Sequence, residues 1–270
     1  MKFADLHVHT VFSDGTSTPE ELVAQASKAG LAAISVVDHD TVEGLSACID
    51  AGRQKDVEVV PGIELTAEYE GAEIHILGYL IDHKSPELRE QLASLKENRI
   101  QRIHEIVDKL KHLGVNLKPQ SVFDIAGKGT VGRLHIARAM VREGLVRSVA
   151  EAFQKYIGDK CPAYVCGFKL QPYGAIKLIR DSGGVSVLAH PYILARDEWI
   201  PYFVEFGLKG LEIYYPEHTP GMVSFYLDLS RKHNLLVTGG SDFHGDAKPG
   251  LNIGAVKIPY ELVDKLKQAK

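Results

Sequence analysis

Residues 3–38, FADLHVHTVFSDGTSTPEELVAQASKAGLAAISVVD, set a strand, a helix and a second strand end to end. Phe3–His7 reads as a short strand. Pro19–Ala29 reads as a helix, with Thr18 as N-cap, Pro19 and Glu20 in its first turn and Gly30 as its stop. Leu31–Val37 is an apolar run of strand length, suited to a buried parallel strand. The pattern continues outward. Thr41 can cap a helix over Val42–Arg53, Val57–Val60 is a strand followed by Pro61–Gly62, and Glu73–Ile81 is another. Such alternation predicts an α/β fold with a parallel sheet and crossover helices.

Beyond residue 84 the periodicity changes. Pro86–Leu113 carries Leu88, Leu92, Leu95, Ile100, Ile103, Ile106, Val107 and Leu110 at helical spacing, and Gly114 ends it. Leu134–Val141 and Val149–Tyr156 follow as helices. Alternation resumes near residue 170, with helices Tyr173–Asp181, Gly221–His233 and Glu261–Gln268 and strands Gly184–Ala189, Leu208–Tyr214 and Leu235–Gly239. The chain therefore divides into a barrel part at 1–83, an all-helical insert at 84–160 and the rest of the barrel at 161–270. Lys84–Arg147 holds thirteen Lys and Arg against seven Asp and Glu, a net of +6. The remainder has 18 against 28, a net of −10. A basic module on an acidic body suits anionic ligands.

Composition narrows the class. At 270 residues the chain is long for one ordinary domain and long enough to dispense with disulfide staples. Hydrophobic residues make up 45% and charged residues 24%, which excludes a disordered or fibrous chain. The net charge of −4 argues against a basic nucleic-acid sleeve. Cys48, Cys161 and Cys166 form no CxxC and read as reduced thiols of a cytoplasmic protein. The N-terminus lacks the apolar core of a signal peptide, and no apolar run is long enough for a membrane span.

Five predicted strand ends carry histidine or carboxylate: Asp5-Leu-His7-Val-His9, Asp38-His39-Asp40, Glu64, Ala189-His190-Pro191 and Ser241-Asp242-Phe-His244. Asp14 and His75 lie close to such ends. In a β/α barrel these ends converge on one face. His7 and His9, at i and i+2, point to the same side of a strand, and Asp242 and His244 share that spacing. Six histidines (7, 9, 39, 75, 190, 244) and three carboxylates (Asp14, Glu64, Asp242) make nine candidate metal ligands. Nine exceeds the four of one tetrahedral ion, so at least two metals are expected. Mixed imidazole and carboxylate suits Zn, Mn or Fe better than Mg or Ca. Neighbouring ions of this kind activate water and clamp phosphoryl oxygens.

The segments DLHVHTVFSDG, SVVDHDTVEG, PGIELTAEYEGAEIHILGY, VLAHP and GGSDFHG, in that order, resemble the polymerase and histidinol phosphatase (PHP) family. The resemblance implies a distorted seven-stranded β/α barrel, TIM-like, with a trinuclear metal centre; the expected cofactors are two to three divalent ions. His7, His9, Glu64 and Asp242 would hold one metal. Glu64 would bridge to a second, held also by His75 and His190, and Asp14, His39 and His244 would hold the third. Through ENRIQRI (97–103), VGRLHIARAMV (131–141) and FQKYIGDKCPAYV (153–165), the insert resembles the helical cap of a subgroup acting on nucleotides.

Lys96, Arg99 and Arg102 recur at helix spacing on one face, and Arg133 and His135 lie near a helix N-terminus, a natural anion site. Arg99, Arg102, Arg133 and His135 are the candidate phosphate-binding residues, since arginine forks suit phosphate oxygens. Glu64, Asp242, His190 and Asp40 are the candidate catalytic residues, Asp40 acting from behind the ligands. GKGT at 127–130 lacks the upstream glycine and strand of a P-loop and reads as a turn. Cys161 and Cys166 read as incidental. Tyr214 and Tyr215 suit either stacking on a base or rim packing, and His104, His112, His218 and His233 read as surface residues.

The expected activity is hydrolysis of a phosphate monoester of a nucleotide, a nucleoside 3′,5′-bisphosphate or a monophosphate. Alternatives are a 5′→3′ exonuclease on short oligonucleotides, a histidinol-phosphate phosphatase and a non-catalytic module of a polymerase. The expected partner is a small phosphorylated substrate, with no membrane and no obligate protein partner.

Overall fold

The computed structural model of the protein describes residues 1–127, 129–166 and 170–270. Lys128, within the GKGT stretch, lies outside the described residues. The first half of the chain contains β1 (Phe3–Val8), α1 (Pro19–Lys28), β2 (Ala33–Val36), α2 (Leu45–Lys55), β3 (Glu58–Tyr69) and β4 (Ala72–Tyr79). Helices α3 (Pro86–His112), α4 (Pro119–Ala126), α5 (Arg133–Arg142) and α6 (Val149–Ala152) follow, the last running into a π-helical turn at Phe153–Ile157. Then come α7 (Pro172–Asp181), β5 (Val185–Leu188), α8 (Pro191–Leu194), α9 (Ile200–Glu205), β6 (Gly210–Tyr214), α10 (Pro220–His233), β7 (Leu236–Gly239), β8 (Ile258–Pro259) and α11 (Glu261–Gln268).

Local signals account for much of this. Thr18 caps α1 in a full capping box with Glu21, and Pro19 occupies its first turn. Helix α2 begins three residues later than the sequence suggests. Thr41 accepts the Glu43 N–H at 3.2 Å, which closes a turn instead of starting the helix.

Eight strands form the sheet, in the order β7-β6-β5-β4-β3-β2-β1-β8, where seven were expected. The extra one, β8, is two residues long and antiparallel to β1. The sheet also departs from the all-parallel expectation. β1, β2 and β3 are parallel, as are β5, β6 and β7, but β4 runs antiparallel to both β3 and β5. Chain length explains the reversal. Only Glu70 and Gly71 separate β3 from β4, too few for a crossover, and their φ values of 49° and 79° suit a tight hairpin turn. The strand read as Val57–Val60 thereby runs on to Tyr69. The sheet nearly closes on itself: His9 N donates to Phe243 O at 2.9 Å and Phe243 N to His7 O at 3.3 Å, beyond the end of β7.

Two buried clusters centred on Ile34, Ile63, Ile76 and Leu211, and on Leu6, Tyr79 and Val187, pack the barrel. A third, with Ile106, Leu110, Val122, Ile136 and Met140, belongs to the helices between α3 and the π-turn. Helix α3 serves both. Leu88, Leu92 and Leu95 pack on the barrel, while Ile103 to Leu110 belong to the helical cluster. Each such side chain contributes about 1.5–3 kcal/mol of burial.

Gly240, just past β7, lets that end of the sheet close. A Cβ there would meet the His7 backbone nitrogen and lie 2.8 Å from Asp5 Oδ1. Gly240→Ala is expected to lower stability by about 1–3 kcal/mol and Tm by roughly 2–10 °C. An unchanged melting curve would mean that this junction has slack.

Candidate metal centre

The strands deliver all nine candidate ligands to one end of the barrel. His7 lies in β1 and His9 just beyond it, both fully buried and facing the same way. His39 follows β2, His190 follows β5, and Asp242 and His244 follow β7. Glu64 and His75 come from mid-strand positions in β3 and β4, brought together by the hairpin register that pairs Thr66 with His75. Asp40, His190 and Asp242 have φ of 50°, 27° and 52°. Left-handed backbone at three non-glycine residues is strain concentrated at one site. Hydrogen bonds hold two of them: Asp40 N to Glu64 O at 3.0 Å and His190 N to Glu212 Oε2 at 2.9 Å.

Glu64 is at the centre. Its Oε2 lies 3.2 Å from His7 Nε2, 3.3 Å from His9 Nε2 and 3.5 Å from His39 Nε2. Its Oε1 lies 2.9 Å from His75 Nδ1 and 3.2 Å from His190 Nε2. Asp242 Oδ1 is 3.3 Å from both His7 Nε2 and His9 Nε2. Asp14 faces His244 Nε2 at 3.1 Å and His39 Nε2 at 3.9 Å. Ligands about 2.1 Å from a tetrahedral ion lie about 3.4 Å apart, so this spacing fits metal coordination. Three sets of donor atoms lie within 4.8 Å of one another: His9, Asp14, His39 and His244; His7, His9 and Asp242; and His39, Glu64 and His75. His9 Nε2 and Asp14 Oδ1 are buried with no hydrogen-bond partner among the described residues, which a cation would supply.

Electrostatics point the same way. Burial opposes the charge of Glu64, yet His39, His7 and His75 hold its pKa well below the ordinary carboxylate range. Burial also lowers the His75 pKa, but Glu64 and Glu73 outweigh it and push it up to about 10, the mark of a place that favours a cation.

Four residues outside the expected ligand and phosphate-binding sets orient these groups, one of them Tyr215, which the sequence reading assigned to base stacking or rim packing. Glu212 Oε1 takes the His7 Nδ1 proton at 2.8 Å, leaving the Nε2 lone pair toward Glu64 and Asp242. Glu73 Oε1 does the same for His75, 3.1 Å from Nε2, leaving Nδ1 toward Glu64. Tyr215 OH and Lys248 Nζ both donate to Asp242 Oδ2, at 2.8 and 2.5 Å, so Oδ1 is left for the cluster. Glu212 is a lone acid in the apolar strand GLEIYY, and Glu73 stands two residues before His75 on the same strand face. Those signals were present in the sequence, whereas Lys248 in its loop had none. Asp5 and Asp38 act one layer further back. Asp5 accepts Ser241 N and Oγ and Gly254 N, and Asp38 accepts Thr10 N and Oγ1 and Ser13 Oγ.

A cavity of about 450 Å³ opens over the cluster, lined by Asp14, His39, Glu64, His75, His190, Asp242 and His244 together with Arg99, Arg102, Arg133, Tyr215 and Lys248. The arginines hold protein groups as well as facing the cavity. Arg102 and Arg133 both pair with Glu73, at 2.8 and 3.0 Å, and Arg133 also bonds Asp159 at 2.7 Å. Burial opposes Glu73's charge, but Arg133 and Arg102 hold its pKa well below the usual range. Arg99 donates to Asp40 Oδ2 and Thr66 Oγ1, each at 2.6 Å. Asp40 thus points to Arg99 and to Thr66 N, and lines a neighbouring cavity instead of this one. Lys96, on the same helix face as Arg99, reaches Glu43 at 3.8 Å and lines that neighbouring cavity.

His135 does not line the cavity. Its Nδ1 accepts the Gly132 N–H at 3.0 Å and its ring is buried. Burial, with Arg138 and Arg99 nearby, brings its pKa down to about 4. A folded-state pKa below the free value of about 6.5 makes the neutral ring a stabilising feature above that pH, lost as the pH falls from 6.5 to 4. Stability should decline over that window by on the order of 3 kcal/mol, and His135→Asn should flatten the decline in urea titrations at pH 7 and 4.5. An equal slope in both proteins would assign the decline to other groups. His218, read as a surface residue, is buried: its Nδ1 bonds Ile213 O at 2.7 Å and its ring packs against Tyr215 and Tyr226.

Residues 5–159 match the family model described as PHP domain. The chain is 32% identical to a phosphoribosyl 1,2-cyclic phosphate 1,2-diphosphodiesterase of Eggerthella lenta over 89% of this chain and 94% of that one. It is 33% identical to the 5′-3′ exoribonuclease Rnm of Escherichia coli, covering 89% and 84%, and 30% identical to a 3′,5′-nucleoside bisphosphate phosphatase of Chromobacterium violaceum, covering 93% and 90%. A solved protein from Bifidobacterium adolescentis, described as a metal-dependent phosphoesterase, superposes with a TM-score of 0.89 at 31% identity over 97% of this chain and 94% of its own.

Proposed function

The chain belongs to the PHP domain family and is a metal-dependent phosphoesterase, and we propose that it removes a phosphate monoester from a nucleotide, a nucleoside 3′,5′-bisphosphate or a monophosphate. The observation that carries this reading is the cavity itself. At about 450 Å³ it falls in the range of small-molecule sites, and it sets Arg99, Arg102, Arg133 and Lys248 around the ligand cluster. That arrangement suits one compact anion.

We assign His7, His9, Asp14, His39, Glu64, His75, His190, Asp242 and His244 to two to three divalent ions, Mn, Zn or Fe. When bound, such ions supply an acidified water and neutralise phosphoryl oxygens. The protein's own groups prepare the site. Glu212 and Glu73 keep His7 and His75 in the tautomers that face the ions. Arg99, Arg102 and Arg133 orient the phosphate, while Asp40 holds Arg99, and His135 holds the Gly132 turn before Arg133. We place the reaction in the cytoplasm, where the free thiols of Cys48, Cys161 and Cys166 persist. No helix among the described residues is long and apolar enough to cross a membrane.

A second reading, a 5′→3′ exonuclease on short oligonucleotides, is favoured by the likeness to the exoribonucleases. The two part on salt, because a strand contacting several phosphates loses affinity steeply as salt rises. With Mn²⁺ present, kcat/KM for adenosine 3′,5′-bisphosphate should equal or exceed that for a 5′-phosphorylated pentamer, with a shallow salt dependence. A pentamer preferred tenfold or more, with a steep salt slope, would make the exonuclease reading the better one.

A further inference from the structure

We infer that the helical segment 149–153 and Ile193 form an apolar platform for the nucleobase, making a base-bearing nucleotide, not a bare sugar phosphate, the preferred substrate. This rests on the nucleotide reading above. The cavity over the ligand cluster has a second kind of lining. Leu134 of α5, Val149 and Ala150 of α6 and Phe153 at the head of the π-turn enter it from the helical segment, and Ile193 of α8 enters it from the barrel. None of the five has a hydrogen-bonding side chain. They share one cavity with the histidines, carboxylates and arginines, so a ligand filling it needs a charged end and an apolar, uncharged end.

Placement supports this division. Ile193 is 56% exposed, three residues beyond His190, a large apolar side chain lining the cavity that opens over the ligand cluster. Phe153 is half-buried, and the Arg133 guanidinium lies 5.8 Å from its ring centroid. That contact places an aromatic side chain next to a residue proposed to orient phosphate, so the charged and apolar linings of the cavity adjoin. The π-turn widens the helix at Phe153–Ile157, and such turns recur where a backbone presents a side chain to a ligand. A planar base gains from stacking and apolar contact irrespective of its hydrogen-bonding edge. The platform is accordingly selective for the presence of a base and tolerant of which base it is.

The test compares adenosine 3′,5′-bisphosphate with its abasic analogue, which keeps the sugar and both phosphates. Affinity is measured by calorimetry and turnover by phosphate release, with Mn²⁺ in both. The wild-type protein should bind the nucleotide roughly tenfold or more tightly than the abasic compound. Ile193→Ala and Phe153→Ala should each cut that preference severalfold, and the uridine and adenosine bisphosphates should differ by less. Ile193 lies at the surface, so its variant remains informative if Phe153→Ala disturbs the π-turn. Equal affinity for both compounds, or a preference intact in Ile193→Ala and Phe153→Ala, overturns the platform, and turnover of both compounds would then leave the phosphatase reading standing. A tenfold preference in affinity without turnover keeps the platform and sinks the phosphatase reading. Failure to bind either compound overturns both.

Discussion

Glu64→Gln should lower kcat for phosphate release from a nucleotide by roughly a thousandfold and remove at least part of the bound metal. Its two oxygens approach five imidazoles, His7, His9 and His39 on one side and His75 and His190 on the other. An amide keeps the shape but gives up the charge, and its NH₂ would donate to an imidazole lone pair that the carboxylate leaves free for a cation. Charge stabilisation by metal in the transition state is worth several kcal/mol, and each 1.36 kcal/mol is about tenfold in rate. Asp14→Asn should do less, because Asp14 faces only the His9, His39 and His244 set. Initial rates with elemental analysis of both variants decide the matter. A Glu64→Gln protein with full metal content and kcat within threefold of wild type would refute the central placement of this carboxylate.

The next largest effect is expected from a residue that touches no candidate metal position. Glu212 is fully buried, takes the His7 Nδ1 proton through Oε1 and accepts the His190 N–H through Oε2. Gln at this position has one acceptor where two are needed. If its oxygen keeps His190 N, its NH₂ faces His7 Nδ1 and drives the imidazole proton to Nε2, the atom needed as a ligand. If it keeps His7, the His190 N–H, already in a strained backbone, meets a donor. Loss of such an orienting group costs about 10–100-fold in metal affinity or activity, and an unpaired buried donor costs about 1–3 kcal/mol of stability. Chelator competition should therefore strip metal from Glu212→Gln at a lower chelator concentration than from wild type. Matching curves would mean that His7 keeps its tautomer by other means.

The same contrast between Glu64 and Glu212 separates what could be read from the chain from what could not. Histidine and carboxylate spaced by two at His7 and His9, and at Asp242 and His244, stand out because the strand period of two is a local property. Thr18, Pro19 and Gly30 likewise announced α1 because capping chemistry acts within one turn. The β3–β4 reversal was legible in principle, in the two-residue gap at Glu70–Gly71, but helix–strand alternation on either side pulled the reading toward a parallel sheet.

Glu212 stood out as a lone acid in an apolar strand, but its partner could not be read, because a hydrogen bond has no sequence signature when its partners are 205 residues apart, as His7 and Glu212 are. Glu73, two residues before His75, was legible from the strand period alone. The arginines show the limit from the other side. Helical spacing put Arg99 and Arg102 on one face, but their partners come from elsewhere in the chain, Asp40 from the turn after β2, Thr66 from β3 and Glu73 from β4. His218 gave no sign of burial, since the aromatic rings around it gather only when β6 and α10 pack. By itself the sequence determined the chemistry available: which side chains can bind metal, which carry positive charge, and which local elements present them. The tertiary structure alone decided which of those groups neutralise one another, which nitrogen of each imidazole faces the cluster, and that an apolar wall shares the cavity. The reason is physical: periodicity and capping act over a few residues, whereas charge pairing, tautomer choice and cavity shape depend on distances of a few ångströms between strands and helices far apart in the chain.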